Sequence, residues 1–304
     1  MKNKDNLFKD ELSSGMDSYI ECIIFPRPLL EYKYVNKYRN QIIVIPTIRK
    51  NKYSDNYETI PCFFEKNPNS NNILIIFHCN GGDIYNLSYY CKDISSKYNI
   101  NILVPEYPGY SIYNAPHSQE IILENSLIVY DYIINNIKNI TEKNIYILGR
   151  SLGTAPAVYL SSKRSPAGTF LISPFPTFAS VGKHDDSICK ILSNFFRSID
   201  YVDKIKNPLL IIHGKDDPLI NYNEAVKLYE KCDKYINKEL KLIDDMTHNF
   251  LYEDIIKNII PCITTFVAKY CPLNKYDKSI IIEFDKEIYK LPEEIENELK
   301  SFKA

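Results

Sequence analysis

Apolar and polar positions along the chain fall into short blocks that alternate between two periods. Runs rich in β-branched and aromatic residues read as strands: "QIIVIPT" (41–47), "TIPCFFE" (59–65), "ILIIFHC" (73–79), "NILVPEY" (101–107), "NIYILG" (144–149), "GTFLIS" (168–173), "PLLIIHG" (208–214) and "ELKLID" (239–244). Between them lie segments whose apolar residues recur three or four apart. These predict helices over 84–97, 118–138 (through Ile121, Leu123, Leu127, Tyr130 and Ile134), 152–163, 223–233 and 250–270. The central strand blocks are apolar throughout rather than alternating, so both faces of the sheet must be covered. Together the blocks predict an α/β fold: a mostly parallel central sheet with helices on both faces.

One interval interrupts the alternation. Residues 174–207 form an insertion between two strands, in which Ile188, Ile191, Leu192, Phe195, Phe196 and Ile199 share one helical face. The spacing predicts a helix over 188–199 in a short cap, set against the core or lining an apolar channel. Residues 1–274 read as one domain carrying this cap, and 275–304 as a charged C-terminal extension, with Pro292 where a first helical turn tolerates it.

Composition narrows the function classes. A length of 304 residues suits one large α/β domain, and a net charge of −1 gives no electrostatic case for nucleic acid. The eight cysteines are scattered without CxxC pairs, which reads as reduced thiols in a cytoplasmic protein. Apolar runs reach about six residues against the roughly 20 that span a membrane. No signal peptide, myristoylation glycine or prenylation box is present at the ends of this sequence. The stretch "YIECIIFPRPLL" (19–30) reads as a buried N-terminal segment, with peripheral membrane contact as the alternative. Cys22 within it reads as a small buried apolar residue rather than an acylation site. No cofactor is called for.

The chemistry concentrates at strand ends, where ligands sit in open α/β sheets. The chain has only nine glycines, and two of them bracket a serine in Gly149-Arg150-Ser151-Leu152-Gly153, G-x-S-x-G between a predicted strand and a predicted helix. That is the context of a nucleophile elbow, and chance composition gives roughly 0.02 such pentapeptides. A helix-capping serine is the simpler alternative. Downstream, "HGKDDPLI" (213–220) follows a strand and offers Asp216 and Asp217; the spacing from Gly214 selects Asp217 as the acid. The one histidine beyond it is His248, in "DDMTHNF" before the last predicted helix, placed to act as general base. Asp244 and Asp245 share that histidine's own loop. An oxyanion hole would use the backbone N–H of Leu152 and a second from "FHCNGGD" (77–83), assigned to Asn80 with Cys79 as runner-up. His78 and Cys79 lack companion ligands, so no metal is expected. The loop "PEYPGYS" (105–111) reads as pocket wall, brace or simple turn.

With these residues in place, the chain resembles the α/β-hydrolases, and among them the α/β-hydrolase domain-containing protein 17 group. The resemblance runs from about 23 to about 270 and is carried by "HCNGGDI", "EYPGYS", "LGRSLGTAPAVYL", "ISPFPT", "VDKIKNPLLIIHGKDDPLINYNEAVKLYEKC" and "THN". It implies Ser151 as nucleophile, Asp217 as acid and His248 as base. It further implies a depalmitoylase-like thioesterase acting on long-chain acyl thioesters of S-acylated proteins. Other hydrolase readings are a lipid or small-ester esterase and a serine-aminopeptidase-like enzyme. From a different class comes a catalytically silent hydrolase fold that binds a partner. Two departures from the group are visible: Cys79 stands where a glycine is usual, and residues 1–21 contain no cysteine.

Overall fold

The structure, a computed structural model, describes residues 20, 23–26, 32–50, 57–250 and 252–301; Cys22 lies outside them. Of the N-terminal apolar stretch, Ile20, Ile24 and Phe25 are buried in the core. Eight strands form a single sheet in the order β1-β2-β4-β3-β5-β6-β7-β8. They are β1 (Ile42–Lys50), β2 (Tyr57–Glu65), β3 (Ile73–Phe77), β4 (Asn101–Pro105), β5 (Ile145–Arg150), β6 (Gly168–Ile172), β7 (Leu209–Gly214) and β8 (Lys238–Ile243). β2 runs antiparallel to β1 and β4, and every other pairing is parallel. The expected α/β-hydrolase architecture is therefore present, with each predicted strand within a few residues of its place.

Strand periodicity divides the core into two layers. Ile73, Ile75 and Phe77 of β3 and Ile145 and Ile147 of β5 point to one face, where they meet the helices Gln119–Asn136, Thr154–Lys163 and Tyr222–Lys231. Leu74 and Ile76 of β3, Tyr146 of β5 and Phe170 and Ile172 of β6 point to the other face. That second face carries the helix Ile84–Tyr98, seated on β2 and β4, and the helix Ile260–Tyr270, seated on β7. A π-helical segment, Ile255–Ile259, precedes the latter, so the predicted 250–270 helix is not uniformly wound.

The insertion differs from expectation. Its helix spans only Asp186–Leu192, and two 3-10 turns, Ser198–Asp200 and Val202–Lys204, follow. Phe196 adopts φ +47°, a left-handed conformation that no continuous helix contains. The apolar stripe is still used: Leu192 and Phe196 are buried in the first layer, with Ile188, Ile191, Phe195 and Ile199 packed against it. The stripe thus faces the core, not a channel.

The C-terminal stretch is docked. Asn71 and Asn72 bind its backbone: Asn71 donates to the Ile280 carbonyl and accepts from the Asp277 N–H, while Asn72 donates to the Asn274 carbonyl and accepts from its N–H. Phe284 packs edge-on against Phe64 with ring centroids 5.2 Å apart. Replacing Phe284 by Ala should cost about 3 kcal/mol of stability. A lowered denaturant midpoint at unchanged slope is the expected result of equilibrium unfolding.

Candidate active site

The site forms at the carboxyl edge of β3, β5 and β7. β5 ends at Arg150, and the chain turns through a 3-10 segment, Ser151–Gly153, into the helix Thr154–Lys163. Ser151 takes φ +52°, rare for a residue with a side chain, which turns its hydroxyl out of the strand. The flanking glycines are required by space rather than by backbone angle. A Cβ on Gly149 would lie 2.4 Å from the Gly153 carbonyl oxygen, and one on Gly153 would lie 2.1 Å from the Phe77 carbonyl oxygen of β3. Gly81, by contrast, has open space around it, and nothing in the structure demands a glycine there.

Three sequence-predicted side chains are brought together. His248 Nε2 lies 3.1 Å from Ser151 Oγ, and its Nδ1 lies 2.7 Å from Asp217 Oδ2. All three residues are buried. With Nδ1–H donating to the carboxylate, Nε2 is left as an acceptor for the serine hydroxyl. Asp217 Oδ1 accepts the N–H groups of Leu219 and Ile220 at 2.9 and 2.8 Å. The competing carboxylates stand elsewhere. Asp216 and Asp245 are exposed, and Asp244 pairs with Lys215 at 2.7 Å.

Burial works to raise the Asp217 pKa. Hydrogen bonds from His213, His248 and the Ile220 N–H outweigh it and hold the carboxyl well below the usual carboxylate range. His213 belongs to this group although its role was not expected. It is fully buried, with Nε2 2.9 Å from the Ile220 carbonyl and 3.4 Å from Asp217 Oδ2.

Leu152 follows Ser151 at the start of the helical run, where N–H groups have no acceptors within the helix. The loop carrying Asn80 is held by residues from "PEYPGYS", which resolves that loop as a brace. Glu106 is buried; its Oε1 lies 3.0 Å from His78 Nε2 and accepts the Tyr107 N–H, while Oε2 accepts the Ile84 N–H. Tyr107 donates its hydroxyl to the His78 carbonyl at 2.7 Å, and Tyr110 donates to Asn80 Oδ1 at 2.7 Å. His78 therefore serves the carboxylate of Glu106.

Arg150, the variable residue of the pentapeptide, ties the loops to one another. Its Nη2 donates to the His248 carbonyl at 2.9 Å, its Nη1 lies 3.7 Å from Cys79 Sγ, and the guanidinium sits 4.3 Å over the Phe250 ring. Neither Glu106 nor Arg150 carries a motif of its own. Strand alternation alone places Arg150 on the same face as Tyr146 and Leu148, which is the only sequence signal for it.

The comparisons agree with this fold. The family described as Serine aminopeptidase, S33 matches residues 191–255, a stretch that contains Asp217 and His248 and stops short of Ser151. Human alpha/beta hydrolase domain-containing protein 17B is 28% identical over 176 residues, covering 58% of this chain and 60% of that protein. The 17C protein of Xenopus laevis is 27% identical over 176 residues, covering 58% and 56%. The chain thus spans less than two thirds of the length of these relatives. Among solved structures, Est1E from Butyrivibrio proteoclasticus superposes with a TM-score of 0.57 at 19% identity, over 75% of this chain and all of that one. A Pyrococcus furiosus esterase gives 0.60 at 16% identity, over 81% and 99%. Both share the α/β-hydrolase fold with this chain.

Two outcomes follow from the geometry. Gly153→Ala should push the elbow away from β3, with a loss of about 2 kcal/mol or more, seen as a lower thermal midpoint. Because the folded Asp217 pKa lies below its unfolded value of about 3.9, the anion stabilises the fold above that pH. The contribution is lost as pH falls through the depressed folded value. Acid titration of Asp217→Asn, followed by circular dichroism, should therefore show a shallower loss of stability below about pH 4 than the parent protein.

Proposed function

We propose that this α/β-hydrolase, which resembles the domain-containing protein 17 group, is a serine hydrolase that cleaves long-chain acyl thioesters through an acyl-enzyme. The observation that carries the reading is the continuous Asp217–His248–Ser151 hydrogen-bond chain ending on a serine in a left-handed conformation. His248 Nε2 takes the hydroxyl proton as Ser151 Oγ attacks the acyl carbonyl carbon. Asp217 holds the imidazole in the tautomer this requires and balances the imidazolium that forms. The backbone N–H groups of Leu152 and Asn80 hold the tetrahedral oxyanion. His248 then gives its proton to the departing thiolate, and afterwards activates water to release the acid.

The thioester preference and the S-acylated protein substrates rest on the resemblance to the 17B and 17C proteins. A fold alone does not choose a substrate. Oxyester hydrolysis is the second reading, favoured by the likeness to the Pyrococcus furiosus esterase. Among the described residues no helix is long and apolar enough to cross a membrane, so S-acylated proteins at a bilayer would be reached from its surface.

Active-site labelling by a fluorophosphonate tests the chemistry. Labelling of the parent protein, abolished in Ser151→Ala, is expected; a folded parent protein that fails to label would mark a silent binding fold. Asp217→Asn should lower turnover on the order of 10⁴-fold, while the same change at Asp216 leaves it within a few fold. A panel of palmitoyl thioester, palmitoyl oxyester, acetyl ester and aminoacyl amide then ranks the substrates. Preference for the acetyl ester would sink the thioesterase reading.

A further inference from the structure

Among the described residues, the two helices on the second face of the sheet stand apart over its central strands. The helix Ile84–Tyr98 sits on β2 and β4 and the helix Ile260–Tyr270 on β7, leaving β3, β5 and β6 between them. Three strands at roughly 4.8 Å each make a gap of about 14 Å, wider than the 8–10 Å at which helices pack. A cavity of about 670 Å³ occupies the gap, within the size range of small-molecule sites. Leu148, midway along a central strand, is consequently only half-buried, although Ile147 beside it is fully buried.

The cavity is strongly asymmetric. Its body is apolar, walled by residues such as Ile76, Leu148, Phe170, Ile94, Ile263 and Val267. It runs alongside the helix from Asn86 to Tyr98, about 18 Å at 1.5 Å per residue. That is close to the depth of one bilayer leaflet, half of a hydrocarbon core about 30 Å thick, and so to the length of one lipid chain. The polar end lies at the carboxyl edge of the sheet, where His78, Cys79 and Arg150 contribute to the wall. Among the described residues Arg150 is the one in the wall that carries a fixed charge, and no carboxylate lines it. Among the described residues no carboxylate lies within ion-pair distance of this guanidinium. Its Nε is buried without a hydrogen-bond partner, and Nη1 has only a sulfur at 3.7 Å. A half-buried cation without a counter-ion, at the head of an apolar slot one chain long, matches one ligand chemistry.

We propose that this cavity binds a single long-chain fatty acid, with its carboxylate on Arg150 and its chain lying between the two helices. The site is distinct from the Ser151 centre, because Ser151, Asp217 and His248 do not line it. Arg150 nevertheless touches both neighbouring loops, through the His248 carbonyl and the Cys79 sulfur. Occupancy is thereby sensed next to the base and the oxyanion loop. The carboxylate recruits Nη1, which the protein leaves without an oxygen partner. Dispersion and water exclusion along the slot hold the chain.

Calorimetric titration of palmitate into the folded Ser151→Ala protein tests this without any turnover, so the result is independent of the hydrolase reading. Palmitate is expected to bind one to one, with affinity falling about tenfold for every two carbons removed. Hexadecanol, which keeps the chain and lacks the anion, should bind at least tenfold more weakly. Arg150→Gln should remove that difference. Ile263→Trp and Ile94→Trp, on separate helices and remote from Ser151, each fill the slot and should weaken palmitate binding at least tenfold while far-UV circular dichroism is retained. Absence of palmitate binding overturns the proposal, as does unchanged affinity in both folded tryptophan variants. Equal affinity for hexadecanol and palmitate overturns the role of Arg150.

Discussion

The catalytic edge depends on one close approach, that of the Gly153 backbone to the carbonyl of Phe77 at the end of β3. No side chain fits there, and this lets the helix after the nucleophile sit down on the neighbouring strand. Two consequences follow at once. Ser151 is bent into its left-handed conformation because the strand must turn within three residues. The loop that leaves β3, carrying Cys79 and Asn80, is brought beside the serine by the same contact. Ser151 and the Cys79–Asn80 loop are thus positioned by the backbone, and only afterwards refined by side chains.

Two buried carboxylates perform that refinement in different ways. Asp217 receives two backbone N–H groups on one oxygen and an imidazole on the other, which fixes both the carboxylate and the ring it orients. Glu106 does for a loop what Asp217 does for a ring, gathering His78 and the N–H groups of Ile84 and Tyr107 around one carboxyl group. A buried carboxylate with every partner in place is stiff, because losing any one of them strands a charge in a poor solvent. The loop carrying Cys79 and Asn80 therefore has little freedom to drift from Ser151.

Much of this was legible in the chain, and the remainder was hidden for definable reasons. Ser151, Asp217 and His248 could be read because each sits on a loop whose place in the order of strands fixes its edge of the sheet. Glu106, Arg150 and His213 could not, because they act through backbone carbonyls or through groups distant in sequence, and no spacing rule encodes such partners. The helix expected over 188–199 ended at Leu192 because Phe196 departs from helical angles, although the apolar stripe persisted and was buried. The cavity over β3, β5 and β6 is hidden from the sequence for a simpler reason. Apolar strands read alike whether a helix or an empty space lies over them, and the width of the gap is set by where two helices come to rest.

The docked C-terminal stretch has a consequence for how the molecule is made. Its 3-10 turn, Lys286–Tyr289, lies against β1, and α-helical residues beyond it reach Arg39 through Glu296. Among the described residues β1 is the outermost strand on its side of the sheet, and no other strand pairs with its outer edge. Such an edge is a template for pairing with another chain unless something covers it. Because synthesis runs from the N-terminus, β1 is made before the segment that lies against it. Throughout that interval the nascent protein carries an open edge, so the rate of its final closure sets how long it is exposed to self-association.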